Sequence, residues 1–266
     1  MSILPRAHLF EFNDRDWVPE TLRDTIVETL SRSLDWGGFL RPLVPVVDRF
    51  LTASGTHDVL DLCAGAAGPA MILSQEAERL GVRQPRFLIT DLFPRVPLWM
   101  QARSQRPDHI DFIAEPVDAT CIPSSLSDGR ARVMVNAFHH FEPELASAIL
   151  RDAVENDAPI FIAESFERDP RGAFPLIPIG IPSLFATPLL SPHDRLAKAV
   201  WTWLTPIGLV AGAWDALVST MRIYSQDELR ALVAPYGRDY DWTYGTYEYA
   251  FGGRGCYFQG VPSGVR

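Results

Sequence analysis

Three patterns in the chain are of a kind that does chemistry. The first is the run V-L-D-L-C-A-G-A-A-G-P, Val59 to Pro69. Gly65 and Gly68, with Ala64, Ala66 and Ala67 beside them, leave a backbone turn that a ligand can approach closely. The amides of a helix starting there can bond polar ligand groups. The second pattern is a polar residue closing each of several apolar runs: Asp61, Asp91 after R-F-L-I-T, Asn136 after A-R-V-M-V, and Glu164 after P-I-F-I-A. A carboxylate at such a position either accepts hydrogen bonds from two vicinal hydroxyls or caps the next helix. The third is N-A-F-H-H-F, Asn136 to Phe141. An imidazole has an unperturbed pKa of about 6.5, suited to moving a proton near neutrality. His139 and His140 are therefore candidate bases, His139 being nearer the strand end. The alternative is that both cap a helix or pack against Phe138 and Phe141.

These residues need a scaffold, and the hydrophobic periodicity supplies one. Pro19 to Ser33 and Pro42 to Thr52 have helical spacing, with Trp36, Gly37 and Gly38 as the turn between them. Asp58 to Cys63, Arg86 to Thr90, Ile110 to Ala114, Ala131 to Asn136 and Pro159 to Ala163 read as short apolar strands. Helices follow at Gly68 to Leu80 and Glu142 to Glu155. Apolar strands alternating with amphipathic helices indicate a parallel sheet covered on both faces. Gly172 to Leu217, rich in Pro, Trp, Phe and Leu, contains no clear strand and reads as an inserted helical subdomain. Ser225 with Glu228 forms a capping box for a helix ending near Val233. Tyr240 to Phe251 and Gly255 to Val261 form a hairpin, with Gly252, Gly253 and Gly255 at its turn.

The turn after the first strand does not match the dinucleotide fingerprint G-x-G-x-x-G, and the phosphate loop G-x-x-x-x-G-K-[ST] is absent. Asp61 to Gly68 instead resembles motif I of class I S-adenosylmethionine (SAM)-dependent methyltransferases, with Cys63 and Ala67 where glycines are common. A terminal antiparallel hairpin also distinguishes that family from plain dinucleotide folds. The resemblance covers Val59 to Glu164 and, more loosely, the hairpin. It implies a doubly wound, mostly parallel seven-stranded α/β sheet with N-terminal helices and a helical insert after the fifth strand. It further implies SAM as cofactor and S-adenosylhomocysteine as product. Asp61, Cys63, Ala64 and Gly65 would form the cofactor loop. Asp91 and Leu92 would hold the ribose, Asp118 and Ala119 the adenine. Asn136, Ala137 and Phe138 would lie near the methionine part.

Methyl transfer from a sulfonium is an in-line displacement. It requires alignment, exclusion of water, and a base only where the acceptor must lose a proton. No metal is expected, because no compact His/Asp/Glu cluster is visible in the sequence. In this class the N-terminal helices and inserts cover the sheet edge. Residues 1–54 read as a helical lid, 55–171 as the cofactor-binding core, 172–224 as a substrate-covering insert, and 225–266 as the part completing the sheet. The candidate substrate contacts are Trp17, Glu164, Trp214, Arg222 and Tyr224. Glu164 otherwise caps or pairs with Arg168. Arg222 either clamps a carboxylate or pairs with Asp215 or Asp227. Their apolar neighbours favour a small, largely apolar acceptor methylated on O, N or C, in a setting such as secondary metabolism. The alternative is a non-methylating cyclase or isomerase on the same SAM-binding scaffold.

Composition narrows the partners. The 266 residues carry a net charge of −9, which disfavours nucleic acid. Three scattered cysteines, Cys63, Cys121 and Cys256, offer neither a disulfide framework nor a zinc motif and fit a reducing cytoplasm. No signal peptide is recognisable. Ala199 to Trp214 has no charge for 16 residues. That is short of the ~20 a spanning helix needs, leaving a buried helix, a lid or contact with a membrane surface. The oligomeric state stays open, a homodimer included.

Overall fold

The computed structural model describes residues 5–169, 171, 174, 176–236 and 238–264. The chain opens with an irregular segment carrying one helical turn, Phe12–Asp14, followed by helices α1 (Glu20–Trp36) and α2 (Val44–Ala53). The alternating part comprises β1 (Asp58–Asp61), α3 (Gly68–Leu80), β2 (Arg86–Ile89), α4 (Val96–Gln105), β3 (Ile110–Phe112), α5 (Ser124–Ser127), β4 (Ala131–Val135), α6 (Pro143–Glu155) and β5 (Ile160–Glu164). Helices α7 (Ile177–Leu190), α8 (Arg195–Ala199) and α9 (Ile207–Arg222) then intervene, with a π-helical turn Val200–Leu204 before α9. Helix α10 (Gln226–Val233) and strands β6 (Tyr240–Tyr249) and β7 (Gly253–Pro262) complete the chain.

The seven strands lie in the order β3-β2-β1-β4-β5-β7-β6. β1 to β5 pair in parallel, and β7 is antiparallel to both β5 and β6. This is the expected mostly parallel sheet with an antiparallel C-terminal hairpin. The order reverses between β1 and β4, and in open α/β sheets ligands bind beyond the carboxyl ends of the strands at such a point.

Side-chain alternation along each strand sets the two layers. Val59, Val133 and Phe161 face a core shared with Leu73 of α3, Trp99 of α4 and Phe50 of α2. Leu60, Met134 and Ile162 face the opposite core, with Ile149 and Leu150 of α6 and Leu229 of α10. All five residues of β4 and of β5 are buried, as strands covered on both faces require.

Helix α4 leaves no mark in the hydrophobic periodicity. Only Trp99 and Ala102 of its ten residues are buried, too sparse a stripe to register as helical spacing. The capping box does form: Glu228 N–H donates to Ser225 Oγ at 3.3 Å, and Ser225 N–H donates to Glu228 Oε2 at 2.7 Å. The hairpin turn is narrower than expected, Ala250–Gly252, so Gly253 and Gly255 fall inside β7. A Cβ on Gly255 would lie 2.6 Å from the Glu164 carbonyl oxygen, so close approach of the strands, not a turn, requires that glycine.

Between β5 and α10 the described residues form helices joined by short irregular links and no strand; the segment's expected first residue, Gly172, lies outside the described residues. The segment packs on α1. Lys198 Nζ donates to Glu28 Oε1 at 2.7 Å, Trp201 Nε1 to Thr21 Oγ1 at 3.0 Å, and Arg32 Nη1 to Thr187 Oγ1 at 2.6 Å. No single described helix is long and apolar enough to cross a membrane. Arg195–Leu204 and Ile207–Arg222 reach that composition only together, bent by 82°.

Candidate active site

The loop from β1 to α3 takes three consecutive odd positions into the left-handed region: Cys63 at φ 57°, Gly65 at φ 53° and Ala67 at φ 65°. Glycine adopts this region freely, whereas other residues are strained in it by roughly 1 kcal/mol. Cys63 and Ala67 therefore hold a turn that glycine would form more easily. A Cβ on Gly65 would meet nothing within 4 Å, so this residue has open space on that side. A Cβ on Gly68 would lie 2.9 Å from Ser31 Oγ, so α1 closes over the start of α3.

Acids gather around this loop. The carboxylate of Asp91 is fixed by two backbone donors, Gly65 N–H at 2.9 Å on Oδ2 and Phe93 N–H at 2.9 Å on Oδ1. Asp118 Oδ1 accepts from Thr120 N–H at 2.8 Å and Thr120 Oγ1 at 2.7 Å. Asp61 is buried, and its Oδ2 has no hydrogen-bond partner among the described residues. Burial, with Asp91 nearby, pushes the Asp61 carboxyl up to about 8. Burial and then Asp91, Asp61 and Asp118 push the Cys63 thiol upward as well. A cation placed at this edge would meet three converging carboxyl groups.

The neighbouring strand end carries a further unpartnered polar atom. Asn136, at φ 56°, accepts Ser165 N–H on its Oδ1 at 2.7 Å, while its buried Nδ2 has no partner. Ser165, one residue past β5, is also buried, with the Tyr247 hydroxyl beside its side chain. Ala64, Ala119, Ala137 and Phe138 are buried, whereas Leu92 is exposed. Buried polar atoms are normally satisfied, so the unpartnered atoms of Asp61 and Asn136 at adjacent strand ends make this edge a candidate ligand site. Asp61, Gly65, Asp91, Asp118 and Asn136 thus offer backbone access, hydrogen-bonding groups and negative charge suited to a polar, positively charged cofactor.

The histidines lie in the turn after β4, just past Asn136. Glu164 accepts His139 N–H on Oε1 at 2.9 Å and the His139 ring Nδ1–H on Oε2 at 2.8 Å. A carboxylate accepts, so Nδ1 carries a hydrogen and Nε2 is the ring nitrogen left for another group. That Nε2 is buried without a partner, 4.0 Å from Glu11 Oε1. Glu164 therefore does not pair with Arg168, which instead binds Glu228 through Nη1 at 2.8 and 2.9 Å. His140 lies against His139, ring centroids 4.2 Å apart, with Nδ1 at 3.0 Å from Asp14 Oδ1 and 3.7 Å from Glu11 Oε2.

Several residues take roles the sequence did not suggest. The guanidinium of Arg222 is 2 % exposed and pairs with neither Asp215 nor Asp227. Its Nη1 lies 2.7 Å from Asp14 Oδ2 and 3.2 Å from Glu11 Oε1. Asp215 accepts Phe12 N–H at 2.7 Å and Asn13 N–H at 3.1 Å. Trp214 Nε1 donates to the Phe10 carbonyl at 2.9 Å, and Tyr224 Oη to the Phe141 carbonyl at 2.8 Å. Trp214 and Arg222 thus hold the N-terminal segment, and Tyr224 holds the 138–141 turn. Trp17 is 70 % exposed.

The expectation of no compact His/Asp/Glu cluster is overturned. Ligand-type atoms of Glu11, His139 and His140 all lie within 4.8 Å of one another. Glu11 comes from a segment remote in sequence, and neither spacing nor motif announces it. The Arg222 guanidinium, 3.2 Å from Glu11 Oε1 and 3.3 Å from His140 Nδ1, already supplies a cation there. Burial pushes the Glu11 carboxyl up to about 7, with His140 and Arg222 opposing the rise.

No protein-family profile and no curated protein sequence matches the chain. Solved structures do. The O-methyltransferase NcsB1 from neocarzinostatin biosynthesis, crystallised with SAM and 2-hydroxy-5-methyl naphthoic acid, is 11% identical. The match covers 91% of this chain and 58% of that one, with a TM-score of 0.51. A putative O-methyltransferase from Nostoc punctiforme is 12% identical over 96% of this chain and 64% of its own, also with a TM-score of 0.51. The chain spans less than two thirds of either structure's length. At such identities the likeness is one of fold, and the fold is that of the class I SAM-dependent methyltransferases.

Proposed function

We propose that this chain is a SAM-dependent methyltransferase whose acceptor is a hydroxyl group on a small, largely apolar molecule. The observation that carries the reading is the His139–Glu164 pair. Its unpartnered Nε2 lies just past β4, the strand that Asn136 follows, and one strand along from Asp61 at the end of β1. A buried base is needed when the acceptor must lose a proton, and a hydroxyl is such an acceptor.

Asp61 and the open backbone at Gly65 would hold the charged end of the cofactor. Asp91 with Leu92 would meet its ribose, Asp118 and Ala119 its adenine, and Asn136, Ala137 and Phe138 its methionine part. Bound there, SAM supplies an electrophilic methyl group on a sulfonium. His139 takes the acceptor's proton on Nε2. Glu164 keeps Nδ1 protonated, aims the ring, and stabilises the imidazolium that results. The N-terminal part and the helices of residues 172–224 form the cover that excludes water. A hydroxyl acceptor is also what the name O-methyltransferase and the bound hydroxynaphthoic acid describe for NcsB1.

The test uses methyl-labelled SAM with a set of phenols and hydroxynaphthoic acids. Acceptor-dependent formation of S-adenosylhomocysteine is expected. It should fall by at least about a hundredfold in His139→Ala, with the affinity for SAM retained. Conversion of a substrate with no transfer of label would instead favour a cyclase or isomerase on the same scaffold.

A further inference from the structure

We propose that residues 5–17 are an autoinhibitory strap over His139, in which the Glu11 carboxyl holds the place that the acceptor's reacting group must take. The proposal rests on the reading of His139 as the base. Glu11 is 2 % exposed and its Oε1 stands 4.0 Å from His139 Nε2. A direct hydrogen bond is shorter than that, and a gap of this size takes at most one polar atom. The body of an apolar acceptor has no room there while Glu11 is in place, with Arg222 and Ser219 bonded to its Oε1. Access to the base therefore requires the strap to leave.

The way the strap is held suits it to leaving. Its regular structure is one helical turn. Ala7 N–H donates to the Met221 carbonyl at 3.1 Å, and Arg222 Nε to the Leu9 carbonyl at 2.9 Å. Asp215 takes the two amides at the start of the turn, and Ser219 Oγ donates to Glu11 Oε1 at 3.0 Å. Arg6 reaches back to the carbonyls of Arg222, His139 and Phe141 at 2.6, 3.1 and 2.8 Å. Nearly all of these partners sit on the last two turns of α9 or on the 138–141 turn. Apolar anchoring is slight: Leu9, Phe10 and Trp17 are exposed, and Phe12 only flanks the small cluster of Val18, Leu22, Ile26 and Ala211. Neutral polar bonds hold such a segment only weakly, because water replaces them; the ion pairs of Arg222 with Glu11 and Asp14 are its strongest hold and must open with it. Segments of few apolar contacts open at the low end of the stability range. Glu11 itself is a reluctant anion at this depth, and that weakens its hold.

The experiment reads the accessibility of each histidine by carbethoxylation with diethyl pyrocarbonate and mass spectrometry of the full chain. His193, exposed, is the internal reference. In the natural protein His139 is expected to react at least about tenfold slower than His193. In Asp215→Ala, which removes the acceptor for Phe12 and Asn13, His139 should approach the His193 rate while the affinity for SAM is unchanged. Equal reactivity of the two histidines in the natural protein would overturn the proposal. So would equal protection of His139 in both proteins. Should Asp215→Ala not fold, hydrogen exchange in the natural protein decides. Amides of residues 5–17 exchanging about tenfold faster than those of α1 support the strap, and equal protection refutes it. Failure to bind SAM would instead strike the methyltransferase reading and leave the accessibility result standing.

Discussion

The two halves of the site are built from opposite materials. The β1–α3 loop works by what it lacks: small side chains, left-handed backbone and unsatisfied polar atoms leave a ligand-ready edge at Asp61, Gly65 and Asp91. The region around His139 works by what it gathers. Glu11, Asp14, Glu164 and Arg222 crowd it with charge, and the strap closes it. On the proposed function, the first half would take the cofactor and the second would hold a covered base, and the acceptor would arrive by displacing part of the protein.

That contrast can be broken most forcefully at Arg222. Arg222→Ala would leave Glu11 and Asp14 without their guanidinium, and removing one partner of a buried pair costs about 3 kcal/mol or more. Denaturant unfolding should show that loss. A variant as stable as the natural protein would mean that the charged half is not held together as described.

The loop half is sharpened by pH. The Asp61 carboxyl, raised to about 8, is protonated in the free protein at neutrality. Binding a cationic group beside it favours the ionised form, so the complex releases a proton. Affinity for SAM should therefore rise about tenfold per pH unit from pH 6 to 8 and level off above. A flat profile would remove Asp61 from the cofactor's charged end. In the free protein the same shift has the opposite sense. The native state holds the proton more tightly than the unfolded chain. The contribution of Asp61 to stability is thus lost as pH rises from the ordinary carboxylate range through about 8.

The same contrast explains what was legible in the sequence. The sheet, its strand ends and the helix from Gly68 to Leu80 follow from local periodicity, and the loop's demands are met within a dozen neighbouring residues. Its left-handed positions even fall at Cys63 and Ala67, where the resembled motif commonly carries glycine. His139 and Glu164 were each visible as strand-end residues, but their pairing depends on β4 and β5 being adjacent. Glu11 and Asp14 were not visible at all. Their meaning comes from Arg222 at the far end of α9, and no spacing rule links a residue in the first turn of the chain to that helix. Trp214 and Arg222 were noticed for the right chemistry and the wrong partner: they bind the chain's own N-terminal segment.

The most direct measurement is calorimetry of SAM and S-adenosylhomocysteine against the natural protein and Asp91→Ala. Both ligands should bind the natural protein, and Asp91→Ala should weaken SAM by at least about tenfold, or 1.4 kcal/mol. Absence of binding by either ligand at millimolar concentration would contradict a cofactor site at the β1–α3 edge.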